Sequence, residues 1–442
     1  MVSIHNRIKI GSTRCAHEYL RSVVTEELLR KSKKEDRMKR GLATALLVAV
    51  FTLFFAAGAF SQPTKTSAPS GEPVKIGGSL PLTGIASEQA KWIKAGYEAW
   101  AEDVNKRGGL LGRQVKLIMY DDESNADKAV TYYERAITMD KVDLVFGGYP
   151  GTANVALMPL MEKYKKVFVG MGGHGKSFEQ GYTYSFASPP QMGEWSYLSV
   201  AGLLDDLIPK KDWPKTAALL TMNNVIGLSA VPAVVKALED RGVKVTVNET
   251  YNLPLSDATP LVAKAKGRGG EYLICQSLFD DMVMIMRSAK AQRYNPKIIW
   301  NILASRIPAW FKELGPDGDY VLANSFFPQG LSYAGNDRIR EAAKTKLNLP
   351  VPPDFFAIGY CWMYTLEQGV KGANTLDDTK IRDYLRSRPF DLPYGKAVKF
   401  DAKGLPAPFN FTVQTRDGKN EVIWPKDAAG GKLVYPRPNW SK

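Results

Sequence analysis

From Val74 onward the chain alternates strand-like and helix-like segments at a steady spacing, and it does so twice. The first pass reads "VKIGGSL", a helix-patterned stretch from Glu88 to Lys106 with Trp92, Ala95, Ala99 and Val104 on one face, the turn "GGLLG", and the strand "QVKLIMYD". It continues with a helix from about Asn125 to Met139, the strand "DLVFGG", a helix from about Thr152 to Tyr164 and the strand "KVFVG". The second pass reads "TAALLTM", a helix from about Ser229 to Arg241, "VKVTVNETY", the helix "TPLVAKAK", "EYLICQ", the helix "DDMVMIMRSAKAQ" and "KIIW". Strands separated by helices pair in parallel and are covered on both faces, so each pass predicts a doubly wound α/β sheet. Two such units side by side predict a cleft beyond the carboxyl ends of their strands. After about Ser325 come further helices, including "DDTKIRDYLRS", and the strand-like "NFTVQT" and "KLVYP".

The segment before these units is of a different kind. Leu42 to Ala57, "LATALLVAVFTLFFAA", is an unbroken apolar run with basic "MKR" before it and Ala57-Gly58-Ala59 after it. A basic flank, an apolar centre and a small-x-small site make a secretory signal over 38–59, cleaved after Ala59; a retained membrane anchor is the alternative. Residues 1–37 are read as unstructured or as preceding a true start at Met38, and 60–73 as a Ser/Thr/Pro linker. Export predicts a periplasmic location. Without residues 1–59, which hold 11 Lys+Arg and 5 Asp+Glu, the formal charge falls from +14 to +8. That excess is scattered, which argues against a nucleic-acid partner. Of the three histidines only His174 follows the signal, so a His-built metal site is not expected, nor is a cofactor. Cys275 and Cys361 are read as buried free thiols, with a disulfide left open.

"GMGGHGKS", Gly170 to Ser177, fits the phosphate-loop pattern G-x-x-x-x-G-K-[ST]. A phosphate loop must open a helix so that backbone N–H groups and the helix dipole converge on the phosphates. Gly181 follows too soon, and alternating Tyr182, Tyr184 and Phe186 read as a strand. The stretch is therefore expected to serve as one wall of the cleft, its glycines exposing backbone N–H groups to a carboxylate.

Taken together, "VKIGGSLPLTG", "NKRGGLLGRQVKLIMYDDESN", "DLVFGGYPGT", "YSFASPP" and "KFDAKGLPAPFNFTVQTRDGK" closely resemble the type I periplasmic binding proteins of the leucine/isoleucine/valine-binding family over 74 to about 425. The resemblance implies two Rossmann-like lobes with mostly parallel sheets joined by a three-strand hinge. On this reading lobe 1 is 74–188 plus about 327–398, and lobe 2 is 189–326 plus about 399–442. It implies a monomer that is not an enzyme, closing on a small solute and delivering it to an ABC transporter permease. A binding protein feeding a separate receptor is the alternative. In members that bind α-amino acids, the loops after strands three and four hold the carboxylate; here these offer Gly151, Thr152, Gly172, Gly173 and His174. The lobe-two tyrosine that holds the ammonium falls at Leu278 or Phe279, and its acidic companion at or near Leu303. Losing that partner favours a ligand with an acid or amide group and an apolar or aromatic body, unless Asp280 or Asp281 restores the charge.

Each remaining candidate has two readings. His174 either donates to the ligand acid or is a solvated loop residue. Thr152 donates its hydroxyl, caps its helix, or does both. Tyr149, Phe279 and Trp300 either line an apolar pocket or pack in the core. Ser87 and Gln89 face either the cleft or solvent. Asp121 and Asp122 of "DDES" are expected to cap the next helix rather than to hold a metal.

Overall fold

The computed structural model describes residues 71–170, 175–189, 195–327 and 333–440. All of them fall in the compact unit Thr66–Lys442. The expectations for 1–37, for the signal at 38–59, for residues 60–70 of the linker, and for Gly172, Gly173 and His174 lie outside the described residues.

The first half runs β1 (Val74–Leu80), α1 (Ser87–Lys106), β2 (Val115–Asp121), α2 (Ala126–Thr138), β3 (Leu144–Val145), α3 (Gly151–Tyr164), β4 (Phe168–Gly170) and β5 (Ser185–Ala187). After α4 (Ser196–Gly202) the second half runs β6 (Thr216–Met222), α5 (Val225–Glu239), β7 (Lys244–Tyr251), α6 (Thr259–Gly267), β8 (Tyr272–Gln276), α7 (Phe279–Ala291), β9 (Ile298–Asn301), α8 (Ala309–Leu314) and β10 (Leu322–Ser325). The chain ends through α9 (Asn336–Leu347), α10 (Asp354–Ala373), α11 (Asp378–Ser387), the pair β11 (Phe390–Leu392) and β12 (Gly395–Val398), and the hairpin β13 (Phe411–Arg416) and β14 (Lys419–Trp424).

One sheet has the order β2-β1-β3, all parallel. The larger sheet has the order β14-β13-β10-β9-β8-β6-β7, parallel from β7 to β10, with β13 and β14 added antiparallel at one edge, and β4-β5 and β11-β12 form two further pairs. In the β2-β1-β3 sheet and the larger one alike, the first strand of the unit is flanked by the second on one side and the third on the other. That reversal opens a crevice at the carboxyl ends, where successive connections leave for opposite faces. A single cluster of buried side chains, from Val74 and Trp100 through Leu219 and Ile274 to Trp300 and Trp362, runs through both halves.

Helix α1 of the first half and the C-terminal helix α10 approach with backbone touching backbone. A Cβ on Gly96 of α1 would lie 2.2 Å from the Phe356 carbonyl oxygen, and one on Gly359 of α10 would lie 2.5 Å from that of Ile93. The crossing is pinned by the buried carboxylate of Glu367, which accepts from Trp100 Nε1 at 2.9 Å, Arg107 Nη1 at 3.0 Å and Lys371 Nζ at 2.6 Å. Burial alone would raise Glu367, but these cations outweigh it and hold its carboxyl below its ordinary value.

Several expectations need correction. α5 starts at Val225, four residues earlier than its apolar pattern suggests, because the Asn224 side chain accepts from Gly227 N at 2.8 Å and caps it. "KLVYP" is not a strand. Val434 instead docks on the side chain of Gln414, which takes the Val434 N–H at 2.8 Å and donates to its carbonyl at 3.1 Å. Asp121 and Asp122 do not cap α2; Asn125 does, accepting from Asp127 N and Lys128 N. Cys275 and Cys361 are buried and free, and burial pushes both thiols up.

Candidate functional site

A cleft of about 160 Å³ is lined by residues from both sheets. Ile85 and Ala86 come from the connection after β1, Ser124 from that after β2, and Tyr149, Pro150, Gly151 and Thr152 from that after β3. Facing them are Met222, Asn224 and Ile226 at the end of β6, Leu253 after β7, Leu278 after β8, and Ile302 and Leu303 after β9. Every connection is the carboxyl end of a parallel strand, and the N-termini of α3 and α5 open directly onto the space. The first N–H groups of a helix have no carbonyl partner within it, so those of Gly151 and Thr152 are free to receive an acceptor.

The loops are held in place mostly by side chains that do not line the cleft, Ser124 being the exception. Asp121 accepts from Leu82 N at 2.9 Å and from the Thr83 hydroxyl at 2.9 Å, and Ser124 Oγ takes Ala86 N at 3.1 Å. Buried Asp122 accepts from Ser79 Oγ at 2.7 Å. Removal from water, aided by the neighbouring Asp121 charge, pushes its carboxyl up to about 6. The strand-three loop is clamped by two tyrosines: Tyr97 Oη donates to the Gly147 carbonyl at 2.6 Å and Tyr133 Oη to that of Phe146 at 2.9 Å. On the other side Tyr251 Oη donates to Ser277 Oγ at 2.8 Å, and Asp281 accepts Leu255 N at 3.0 Å.

Among the described residues no lining side chain carries a charge, and most are apolar. Ile85 stands exposed at the rim. Close in sequence to the lining residues are buried polar groups with no partner among the described residues: Asn154 in the first turn of α3, Gln89 in the first turn of α1, and Thr221 and Gln276 paired in register across β6 and β8.

Of the sequence-named residues, Tyr149, Gly151 and Thr152 meet in the cleft, together with Leu278 and Leu303. Ser87 is half-buried beside the lining residue Ala86. Gln89 is fully buried, with both amide atoms unpartnered. Phe279 is buried at the start of α7, and Trp300 is sealed inside the sheet on β9, away from the cleft. Asp280 is exposed; partial burial first, then the charges of Glu88 and Glu313, raise its carboxyl above the usual range. Gly173 and His174 are outside the described residues. Sequence reasoning missed Met222, Asn224, Ile226 and Leu253, although "NN" followed by an apolar run was a legible helix start.

A family model described as periplasmic binding protein matches residues 73–419. The chain belongs to that family. It is a type I periplasmic binding protein of the Leu/Ile/Val-binding group, a family that is extracytoplasmic and whose members here are solute-binding proteins rather than enzymes. It is 25% identical over 367 residues to the leucine-, isoleucine-, valine-, threonine- and alanine-binding protein of Pseudomonas aeruginosa, covering 81% of this chain and 91% of that protein. Two solved structures share the fold. A leucine binding protein from Thermotoga maritima superposes with TM-score 0.70 at 18% identity, covering 79% of this chain and 97% of the other. The solute binding protein of an ABC transporter from R. palustris in complex with benzoate gives 0.69 at 18%, covering 82% and 100%. No helix among the described residues is long and apolar enough to cross a membrane.

Proposed function

We propose that this protein is exported through residues 38–59 and acts as a monomer. In the cleft it captures a small solute with an acid or amide group on an apolar or aromatic body, and it passes this solute to an ABC permease. The observation that carries the reading is the lining: among the described residues it has no charged side chain, its second half is apolar apart from Asn224, and the resemblance puts the holders of an ammonium at Leu278 or Phe279 and at or near Leu303. An unpaired ammonium there costs several kcal/mol, whereas the N–H groups of Gly151 and Thr152 suit a carboxylate or amide oxygen. The benzoate complex of a structural neighbour supports the same ligand class. Closure follows because a solute touching both walls binds the closed state better than the open one.

A second reading, an α-amino acid, is supported by the 25% identical relative from Pseudomonas aeruginosa, which is named for binding leucine, isoleucine, valine, threonine and alanine. Isothermal titration with benzoate and phenylacetate against L-leucine and L-valine separates the two. Acid binding without amino-acid binding supports the first reading. Micromolar leucine binding that Asp280→Asn abolishes, with no response to the acids, overturns it.

A further inference from the structure

A second cavity, of about 350 Å³, shares no lining residue with the cleft. It lies where the end of β10, the segment leading into α10 and the β13–β14 hairpin meet, and Phe311, Phe327, Leu349 and Val351 give it apolar walls. Two charged residues belong to its lining. Arg306, 3% exposed, donates through Nη1 to Asp354 Oδ2 at 2.7 Å, and Ser325 Oγ donates to the same oxygen at 3.1 Å. The guanidinium is held between rings, 5.1 Å from the centre of Phe355 and 5.7 Å from that of Phe326. Its other edge is unused: Nε and Nη2 are both buried and have no partner among the described residues.

Those two N–H groups form one side of a planar fork and point to a single acceptor. Leaving both unmet is costly, so the arrangement is consistent with an occupant that accepts from them. The charge balance selects the acceptor. Arg306 and Asp354 already cancel, so a carboxylate would add an uncompensated buried negative charge, while a carbonyl oxygen adds none. We propose that this cavity is a second binding site, for a small uncharged solute of the carboxamide class, with its carbonyl oxygen on the Nε and Nη2 edge of Arg306 and its apolar body against Phe311, Phe327 and Val351.

The site stands independently of the cleft, and the test keeps the two apart. The full chain, labelled with nitrogen-15 in arginine, is titrated with benzamide and separately with benzoate at millimolar concentration while the arginine Nε–H resonances are followed. Benzamide is expected to move one resonance, identified by its absence in Arg306→Lys, and benzoate to leave it in place. Val351→Trp, which fills the cavity from a position 38% exposed, should keep the resonance but weaken its response about tenfold or more. Thr152→Trp, which blocks the cleft, should leave the response intact. If Arg306→Lys fails to fold, the Val351 and Thr152 variants carry the test. A resonance that benzamide does not move, that still moves in Val351→Trp, that stops moving in Thr152→Trp, or that benzoate moves as strongly, overturns the proposal.

Discussion

Replacing Leu303 by Glu should turn the cleft towards α-amino acids. Leu303 is 6% exposed and forms part of the wall opposite Gly151 and Thr152. In the native cleft an ammonium would sit against Leu253, Leu278, Ile302 and Leu303 with no lining carboxylate among the described residues to meet it. A charge-assisted hydrogen bond from the introduced Glu is worth about 1.5–3 kcal/mol net, which is about ten- to a hundredfold in the dissociation constant for leucine. The same change removes an apolar contact worth about 2 kcal/mol from any apolar body. It also sets a negative charge beside an acid ligand, so benzoate should weaken about thirtyfold or more. Isothermal titration of both ligands against both proteins at neutral pH measures the crossover. The reasoning is refuted if the native chain already binds leucine tightly and the variant binds it no better, or if benzoate binding is indifferent to the substitution.

Three further outcomes test the scaffold. Glu367→Gln removes the charge that Arg107 and Lys371 share, and should cost about 3 kcal/mol in a denaturant melt. Because the Glu367 pKa is depressed on folding, that loss should be present above its unfolded value near 4.5 and fade as pH falls through the folded value. Asp122 behaves in the opposite sense: its carboxyl rises from 3.8 to about 6 on folding, so it favours the native state at low pH and loses that contribution between those two values. Asp122→Asn should therefore flatten the stability profile in that window, seen in melts at stepped pH; an unchanged profile would show that the carboxyl is not perturbed. Gly96→Ala drives a methyl group to 2.2 Å from the Phe356 carbonyl and should destabilise by several kcal/mol, whereas Gly112→Ala, with open space at its Cβ, pays only for its positive φ.

The alternation of periods made most of the fold legible, since parallel strands buried on both faces read as apolar runs and their helices as amphipathic stripes. What failed was set by single side-chain hydrogen bonds. Asn224 extends α5 backwards through a local cap that the apolar pattern does not register, and Gln414 captures Val434, distant in sequence, through an amide group that no local pattern reveals. The site divided in the same way. Tyr149, Gly151 and Thr152 were legible because glycine, proline and a hydroxyl after a strand mark a ligand-facing turn. Met222, Ile226 and Leu253 were not, because an aliphatic residue at a strand end looks the same whether it faces a core or a solute. The phosphate-loop match shows the converse: Ser177 lies in a 3-10 turn of five residues, Gly175–Glu179, so a pattern complete in letters lacks the helix that gives it chemistry.

Apart from Ser124, the side chains that fix the cleft loops are not the ones a solute would touch. Asp121, Tyr97, Tyr133 and Asp281 hold the backbone from behind, while Thr152, Leu253, Leu278 and Leu303 present the surface. Selectivity and shape are thus written at separate positions, and a substitution that alters the first leaves the second standing. Descendants of one ancestral receptor can in this way drift from one nutrient to another by single steps, none of which passes through a misfolded intermediate.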